Sequence, residues 1–404
     1  MNELPQAVLN GDLQLAKKLI EEQADVNGHT AYPSSLLIHA AEHYNPSMVK
    51  LLIQARARLE DTNHNKDTAL LVAINAGYKD ITKMLIEARG GVSVPARDGR
   101  TPLIIAADKN QCDVVRMLIA ADANVNKADN MGRTALSVAA EAGNVPIVAE
   151  LLRGKNVSLE KPSSQGKTVL MYALQSLKGY CGKVERDLIE MLLNARARID
   201  VKDSRGVTPL MMAAELQDTS VIQKFLTKDD IDVRDAEKCT ALVRSIRQKN
   251  SIAARALIQA GANVNIKSNH ETALIISLTQ GSWDLAKALI TAKADVNIPV
   301  QRAGSFAGSG VSTRYVRSHW LGMTPLSLML HSKNIKMATH LLEARARVDS
   351  VDSQGSTALM FAVMATNDAS VVRLVCQRFL ADLLQDDIDR LADDLLQKIG
   401  KREN

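Results

Sequence analysis

The stretch HAAEH at residues 39–43 contains two histidines and a glutamate at a spacing that could bind a metal ion. On a helix, residues four apart lie on one face, so His39 and His43 would lie side by side with Glu42 next to them. Imidazole nitrogens and carboxylate oxygens are zinc ligands, and a bound zinc ion can activate water for hydrolysis. The sequence singles out no acidic third ligand downstream. A zinc hydrolase is therefore kept as a minor alternative, and we predict no catalytic residue and no metal site.

A second chemical candidate is the basic tetrapeptide Ala-Arg-Ala-Arg, which occurs at residues 55–58, 195–198 and 344–347. Clustered arginines are typical of nucleic-acid contacts and of targeting signals. The flanking residues recur as well, in LIQARARLED, LLNARARIDV and LLEARARVDS, which raises the alternative that the tetrapeptide belongs to a larger repeat.

The chain repeats itself with a nearly constant period. Thr-x-Leu, followed three residues later by a small residue in most copies, begins at Thr68, Thr101, Thr134, Thr168, Thr208, Thr240, Thr272, Thr324 and Thr357. Most intervals are 32 to 34 residues, and counting back by 33 from Ala73 reaches Ala40 and then Ala7. Self-similarity at such a period indicates a repeat architecture. We therefore predict eleven units, of which the first and last are degraded.

Each unit contains the same succession of elements. A short helix with small inward-facing residues is followed by a polar turn and a second helix with apolar residues at i, i+3 and i+4, as at Val114, Val115 and Leu118. Ala40 and Ala41 of the HAAEH stretch occupy the small inward positions of one such first helix. Two helices and a turn cannot bury their apolar sides alone, so each unit must stack on its neighbours. The pattern predicts an all-α fold of stacked helix-turn-helix units.

These units resemble the ankyrin repeat, most closely in ADNMGRTALSVAAEAGNVPIVAELL at residues 128–152. The resemblance covers residues 2–380 and implies an ankyrin-repeat solenoid over 1–380 with hairpin fingers and a concave surface formed by the first helices and the fingers. It also implies a non-enzymatic scaffold that binds a protein partner on that surface. The partner-binding residues expected at variable positions are Arg97, Arg100, Asn130, Met131, Arg133, Glu141 and Arg205.

Alignment with QAGANVN at 259–265 explains the basic tetrapeptide. Arg56 takes the position where the family usually has Gly, and Arg58 the position of Asn or Asp. That Gly supplies a left-handed residue after the second helix, where a non-Gly residue costs about 1 kcal/mol. We interpret the tetrapeptide as a helix end, with a basic ladder for an acidic partner as the alternative. The residues expected in the glycine position are Arg56, Arg89, Arg196, Arg345, Lys293, Gln23 and Asp122.

One finger is enlarged by an insertion at about 299–320, because Thr272 and Thr324 are 52 residues apart. Insertions in repeat proteins map to loops, often on the binding face, and Tyr, Trp and Arg dominate interface hot spots. A disordered spacer is the alternative interpretation. The partner-binding residues expected in the insertion are Arg314, Tyr315, Arg317, His319 and Trp320.

The C-terminal segment 381–404 departs from the repeat pattern. Its leucines and isoleucines follow steps of three and four, while the six aspartates of 381–399 take the other face. The last repeat of a solenoid needs a cover with a polar outer side. We therefore expect a C-terminal amphipathic capping helix and tail, with a helix offered to another protein as the alternative.

Composition limits the remaining functions. The net charge is only +5, and the basic residues lack the dense clusters and aromatic partners typical of nucleic-acid binding. No segment approaches the roughly 18 apolar residues of a membrane span, and the four cysteines are widely spaced, which fits a reducing cytoplasm. We expect no cofactor, no membrane and a monomer. The alternative function is an adaptor that recruits a target to a catalytic assembly, or a bacterial effector secreted into a host cell.

Overall fold

The computed structural model describes residues 3–28, 34–177, 183–226, 231–269, 271–301, 320–365 and 370–384. These residues form helices joined by turns, with isolated β-bridges and no longer strand among them. None of the helices in this part of the chain combines the length and apolar character that a bilayer crossing requires. The chain divides into two compact units, Met1–Pro209 and Leu210–Asn404.

The first unit consists of helix pairs arranged in two layers. Each first helix packs on the first helix of the next pair, and the second helices do the same. The first helices are α1 (Leu4–Leu9), α3 (Leu36–Glu42), α5 (Ala69–Ala76), α7 (Pro102–Asp108), α9 (Ala135–Glu141) and α11 (Val169–Ser176). The second helices are α2 (Leu13–Glu21), α4 (Pro46–Gln54), α6 (Lys79–Glu87), α8 (Cys112–Ala120), α10 (Val145–Leu152) and α12 (Lys183–Asn194).

The second unit repeats this arrangement. Its first helices are α13 (Pro209–Ala214), α15 (Ala241–Arg247), α17 (Ala273–Thr279), α19 (Pro325–His331) and α21 (Ala358–Ala365). Its second helices are α14 (Thr219–Gln223), α16 (Ser251–Gln259), α18 (Trp283–Thr291), α20 (Ile335–Glu343) and α22 (370–384). The described part of the chain thus contains eleven helix pairs, which confirms the predicted all-α stack.

The Thr-x-Leu motif marks the start of a first helix for two physical reasons. Oγ1 of Thr68 accepts a hydrogen bond from the N–H of Leu71, and the leucine of the motif, Leu70, is fully buried. An N-cap of this kind satisfies one of the N–H groups that have no partner inside the helix, and is worth about 1 kcal/mol. The same bond is made by Thr101, Thr134, Thr240, Thr272, Thr324 and Thr357.

Polar side chains that follow the second helices link consecutive repeats. Oδ1 of Asn27 accepts a hydrogen bond from the N–H of Arg58 at 2.8 Å. Equivalent bonds join Asn126 to Ser158, Asn265 to Asp295 and Asn297 to Arg347. The last bond connects residues on the two sides of 302–319. The repeats before and after the insertion are therefore joined in the same way as other consecutive repeats.

The predicted left-handed residues are confirmed. Their φ angles are 67° at Gln23, 60° at Arg56, 56° at Arg89, 61° at Asp122, 67° at Arg196, 63° at Lys293 and 64° at Arg345. The second arginine of the tetrapeptide has a different role, because Arg198 pairs with Asp200 at 2.7 Å and Arg347 with Asp349 at 2.8 Å. The tetrapeptide is therefore a helix end, and its first arginine stands where glycine would be less strained.

The last helix pair leaves large apolar side chains exposed. Met360, Val363 and Met364 of α21 are at least half exposed, and Leu380 and Leu384 of α22 are 58% and 63% exposed. The predicted C-terminal amphipathic helix lies only partly within the described residues, which are helical up to residue 384. Residues 385–404 lie outside them.

Replacing Arg56 with Gly is expected to raise the free energy of unfolding by about 0.5–1 kcal/mol, because glycine adopts a positive φ without steric cost. The matched control is Arg58→Gly, two residues further on, where φ is not positive and glycine should lower stability. Denaturant midpoints of the full chain check both. A midpoint for Arg56→Gly at or below that of the wild type would contradict the proposed strain.

We propose that residues 385–404 cover the exposed apolar surface of the last pair, because the amphipathic pattern of α22 continues through Ile388, Leu391, Leu395 and Ile399. Deletion of 385–404 should then lower the thermal midpoint and cause self-association, measured by light scattering. The control replaces the same four apolar residues with Ser in the full-length chain and should behave in the same way. A deleted chain that stays monomeric with an unchanged midpoint would refute the cover.

Candidate functional site

Several fingers between repeats are tight hairpins fixed by the side chain of their first residue. In the finger 129–133, the N–H of Asp129 donates to the carbonyl of Arg133, and Oδ1 of Asp129 accepts from the N–H groups of Met131 and Arg133. A short acidic or amide side chain closes such a turn on its own backbone. Gly132 has φ 75°, and a Cβ there would lie 2.9 Å from Ser163 Cα, so glycine is required. The same turn begins at Asn63, Asp203 and Asp352.

Backbone hydrogen bonds join consecutive fingers of the first unit. The N–H of Asn130 donates to the carbonyl of Asp98 at 3.0 Å, and the N–H of Ser164 to that of Met131 at 2.8 Å. The N–H of Ser204 donates to the carbonyl of Gln165 at 2.9 Å. The fingers from 96–100 to 203–207 therefore form one row with a fixed backbone, which we call the finger row.

Basic finger residues contact the first helix that comes directly after them in the chain. In three consecutive repeats of the finger row, the partner lies eight residues further along the chain. The contacts are Arg100 with Asp108 at 3.2 Å, Arg133 with Glu141 at 3.8 Å and Lys167 with Gln175 at 2.7 Å. Arg133 is also paired with the buried carboxylate of Asp129 at 3.0 Å.

Sequence reasoning named Arg100, Arg133 and Glu141 but missed these contacts, together with Asp108, Lys167 and Gln175. The signal that could have found them is the constant spacing of eight residues between a basic finger position and a polar position at the end of the first helix. Because Arg100 and Arg133 are paired with carboxylates, their positive charges are partly neutralised within the chain, whereas Gln175 is neutral and leaves the charge of Lys167 in place. Arg100 and Arg133 therefore hold the fingers in position in addition to forming part of the finger surface.

A cavity of about 350 Å³ lies between the fingers 63–67 and 96–100. Its lining includes Asp67, Arg97 and Arg100, so two predicted residues border it. Burial, and then the negative charge of Asp98, raise the pKa of Asp67. Burial also acts to raise the pKa of Asp98, but hydrogen bonds from Arg100 outweigh it and hold that pKa below its ordinary value.

Arg97, Met131 and Arg205 are predicted residues of the finger row whose side chains are exposed. Met131 is 51% exposed, and it is the one large apolar side chain of this row, among the residues described, that is mostly in solvent. The guanidinium groups of Arg97 and Arg205 make no ion pair with any residue in the described ranges. Asn130 instead supports the row, since its Nδ2 donates to the carbonyl of Arg97 at 3.4 Å.

Trp320 lies in the second unit and is partly buried. Its ring packs against Ile275 and Val300, each 1% exposed, and the carbonyl of Trp320 accepts a hydrogen bond from the N–H of Met323. Trp320 therefore anchors the base of the inserted finger to the core. The other predicted residues of the insertion, Arg314, Tyr315, Arg317 and His319, lie outside the described residues.

The fingers of the second unit contain buried charge. Arg244 of α15 pairs with the buried carboxylate of Asp235 at 2.6 Å and with Glu215. In the next finger Glu271 is only 6% exposed, and no donor among the described residues reaches its Oε2. Burial raises the pKa of Glu271 to about 7, although the positive charge of Arg247 opposes the shift.

A comparison with models of known protein families agrees with this architecture. A model of the ankyrin-repeat family, built on three copies of the repeat, matches residues 4–98, 37–129, 103–203, 180–268 and 210–300. The search of curated proteins gives no match for the chain. An ankyrin repeat domain of known crystal structure from Acinetobacter baumannii is similar to 48% of this chain and 98% of that domain, with 30% identity and a TM-score of 0.44.

Replacing Glu271 with Gln is expected to stabilise the chain at pH 8 by about 1–2 kcal/mol. The folded state raises the pKa of Glu271 from 4.5 to about 7, so the folded state binds more protons than the unfolded state between these values. The free energy of unfolding of the wild type therefore falls as pH rises through this window, and the variant should lack that fall.

Thermal unfolding of the full chain between pH 4.5 and 8.5 measures the effect. The matched control is Glu237→Gln, because Glu237 lies on the preceding finger and is well exposed. The stability of this control should show the same fall with rising pH as the wild type, because Glu271 is retained. Parallel profiles for wild type and Glu271→Gln would show that Glu271 ionises normally in the fold.

Proposed function

The chain belongs to the ankyrin-repeat family, and from this premise we propose that it is a non-enzymatic scaffold whose finger row binds a protein partner. Ankyrin repeats are typically interaction modules, and their stacked fingers and first helices offer an extended surface. The proposal concerns the first unit, where seven of the predicted partner-binding residues lie on linked fingers and on the end of α9.

The observation that supports this proposal most is that the backbone of the finger row is held by hydrogen bonds while several of its side chains are exposed. Hydrogen bonds between Asn130 and Asp98 and between Ser164 and Met131 hold the backbone, while the side chains of Arg97, Met131 and Arg205 extend into solvent. A surface that is already ordered loses little entropy when it binds. Arginine and large apolar side chains are the residue types that anchor interfaces.

The charge of the finger row indicates the chemistry of the partner. Arg100 and Arg133 already have carboxylate partners within the chain, so Arg97 and Arg205 supply the accessible positive charge. A partner that fits these groups carries carboxylates opposite Arg97 and Arg205 and an apolar side chain that packs on Met131. This sparse arrangement suits an acidic protein surface better than a nucleic acid, whose backbone needs a dense row of cations.

We also propose that the inserted finger at about 299–320 makes a second contact with the partner, through Tyr315 and the arginines Arg314 and Arg317. A monomer in the reducing cytoplasm fits the thiols Cys112, Cys239 and Cys376, which are free. An adaptor for a catalytic assembly, or an effector secreted into a host cell, would use the same surface and differ only in the identity of its partner.

The double variant Arg97→Ala, Met131→Ala tests the finger row. We expect it to weaken binding of the partner by about 2 kcal/mol or more, because hot-spot side chains of these types contribute on that scale. The immobilised full-length chain is used to capture proteins, and affinity for the recovered partner is then measured by calorimetry.

The matched control is the double variant Ile252→Ala, Arg255→Ala on α16, because Ile252 is 52% exposed, close to the 51% of Met131. Both variants should keep the thermal midpoint of the wild type to within a few degrees. Loss of the partner from the finger-row variant alone is the expected result. Equal affinity of the two variants would exclude the finger row as the binding surface.

A further inference from the structure

The structure brings His39, Glu42 and His43 together at the C-terminal end of α3. One ligand atom from each side chain lies within 4.8 Å of the others. The two imidazole rings have centroids 4.0 Å apart and are tilted by 34°. The sequence suggested that these residues share a helical face, and the structure adds that all three approach one point.

Both histidines are available as metal ligands. Nδ1 of His43 lies 3.0 Å from the carbonyl oxygen of His39, and because a carbonyl oxygen only accepts, this nitrogen carries the proton. Nε2 of His43 is then the nitrogen with a free lone pair. His39 is partly exposed, and its ring lies beside that of His43, so it can also reach a metal ion.

The glutamate is oriented by the next repeat. Nδ2 of Asn63 donates to Oε1 of Glu42 at 3.4 Å, and Asn63 is itself fixed, because its Oδ1 accepts from the N–H groups of Asn65 and Asp67. Asn63 is buried, with 8% of its surface exposed. Metal ligands in proteins are commonly held by such outer hydrogen bonds, which contribute about 10- to 100-fold to metal affinity.

We propose that His39, Glu42 and His43 bind a zinc ion. A His₂Glu set supplies the nitrogen and oxygen ligands that zinc accepts at about 2.0–2.2 Å. Tetrahedral geometry places such ligand atoms about 3.4 Å apart, so a modest rotation of the exposed side chains of Glu42 and His43 completes the set. Three protein ligands leave the fourth position for water or for a side chain of another protein.

The position of this site gives the metal a structural consequence. The site joins α3 of one repeat to the finger 63–67 of the next through Asn63, and that finger borders the cavity lined by Asp67, Arg97 and Arg100. A bound zinc ion would stabilise the folded state by mass action. It would also place an open coordination position beside the finger 63–67. The inference is zinc binding rather than hydrolysis, because Glu42 is a ligand here and not a free general base.

Calorimetric titration of the full-length chain with zinc chloride tests the site. We expect one equivalent to bind, a rise in the thermal midpoint with zinc, and an affinity at least about 10-fold lower for His39→Ala or His43→Ala. Asn63→Ala should lower the affinity by about 10-fold without removing a ligand. Cobalt(II) in place of zinc should give the visible absorption of a four-coordinate ion with the wild type and not with His39→Ala or His43→Ala.

The control is His340→Ala, because His340 is an exposed helical histidine with a carboxylate neighbour, Glu343, at 3.2 Å but no second histidine at four residues. It should bind zinc like the wild type. Circular dichroism confirms that each variant is folded before titration. The proposal is overturned if the folded variants His39→Ala and His43→Ala keep the wild-type affinity, or if the wild type shows no saturable one-to-one binding.

Discussion

The constraint on which this fold depends is that a pair of short helices cannot bury its own apolar faces. Leu70 and Ile81 are fully buried only because helices of neighbouring pairs pack on α5 and α6. Burial of each leucine-sized side chain contributes about 1.5–3 kcal/mol. The free energy of the fold is therefore shared between successive pairs, and every helix end must be made so that the next pair can follow at the same spacing.

That requirement explains where the polar residues of each repeat lie. Thr68 begins a first helix by capping it, Arg56 ends a second helix in a left-handed conformation, and Asn27 bonds to the backbone of the following unit. Each of these residues satisfies backbone groups that would otherwise be unpaired near the core. The chain keeps this arrangement even where a residue with a long basic side chain must adopt a positive φ. The backbone path is therefore fixed more strictly than the residue type.

The sequence predicted those features that depend on local geometry. The period located the helix pairs, and alignment with Gly261 predicted the left-handed conformation of Arg56, because a helix end imposes its φ whatever the side chain. Contacts between elements were not predicted. The pairing of Arg100 with Asp108 depends on the distance between a finger and the helix behind it, and the packing of Trp320 depends on Ile275, which is distant along the chain.

The same division between a fixed backbone and free side chains separates stability from function. Side chains that face the next pair are constrained by packing, whereas Arg97 and Met131 project from two neighbouring hairpins, each closed by its own backbone hydrogen bond. His43 lies between these cases, because it ends α3 while its ring remains exposed. Positions of this kind can acquire a ligand or a partner at little cost to the stack, and they are where a frame of repeated helices becomes specific to one protein.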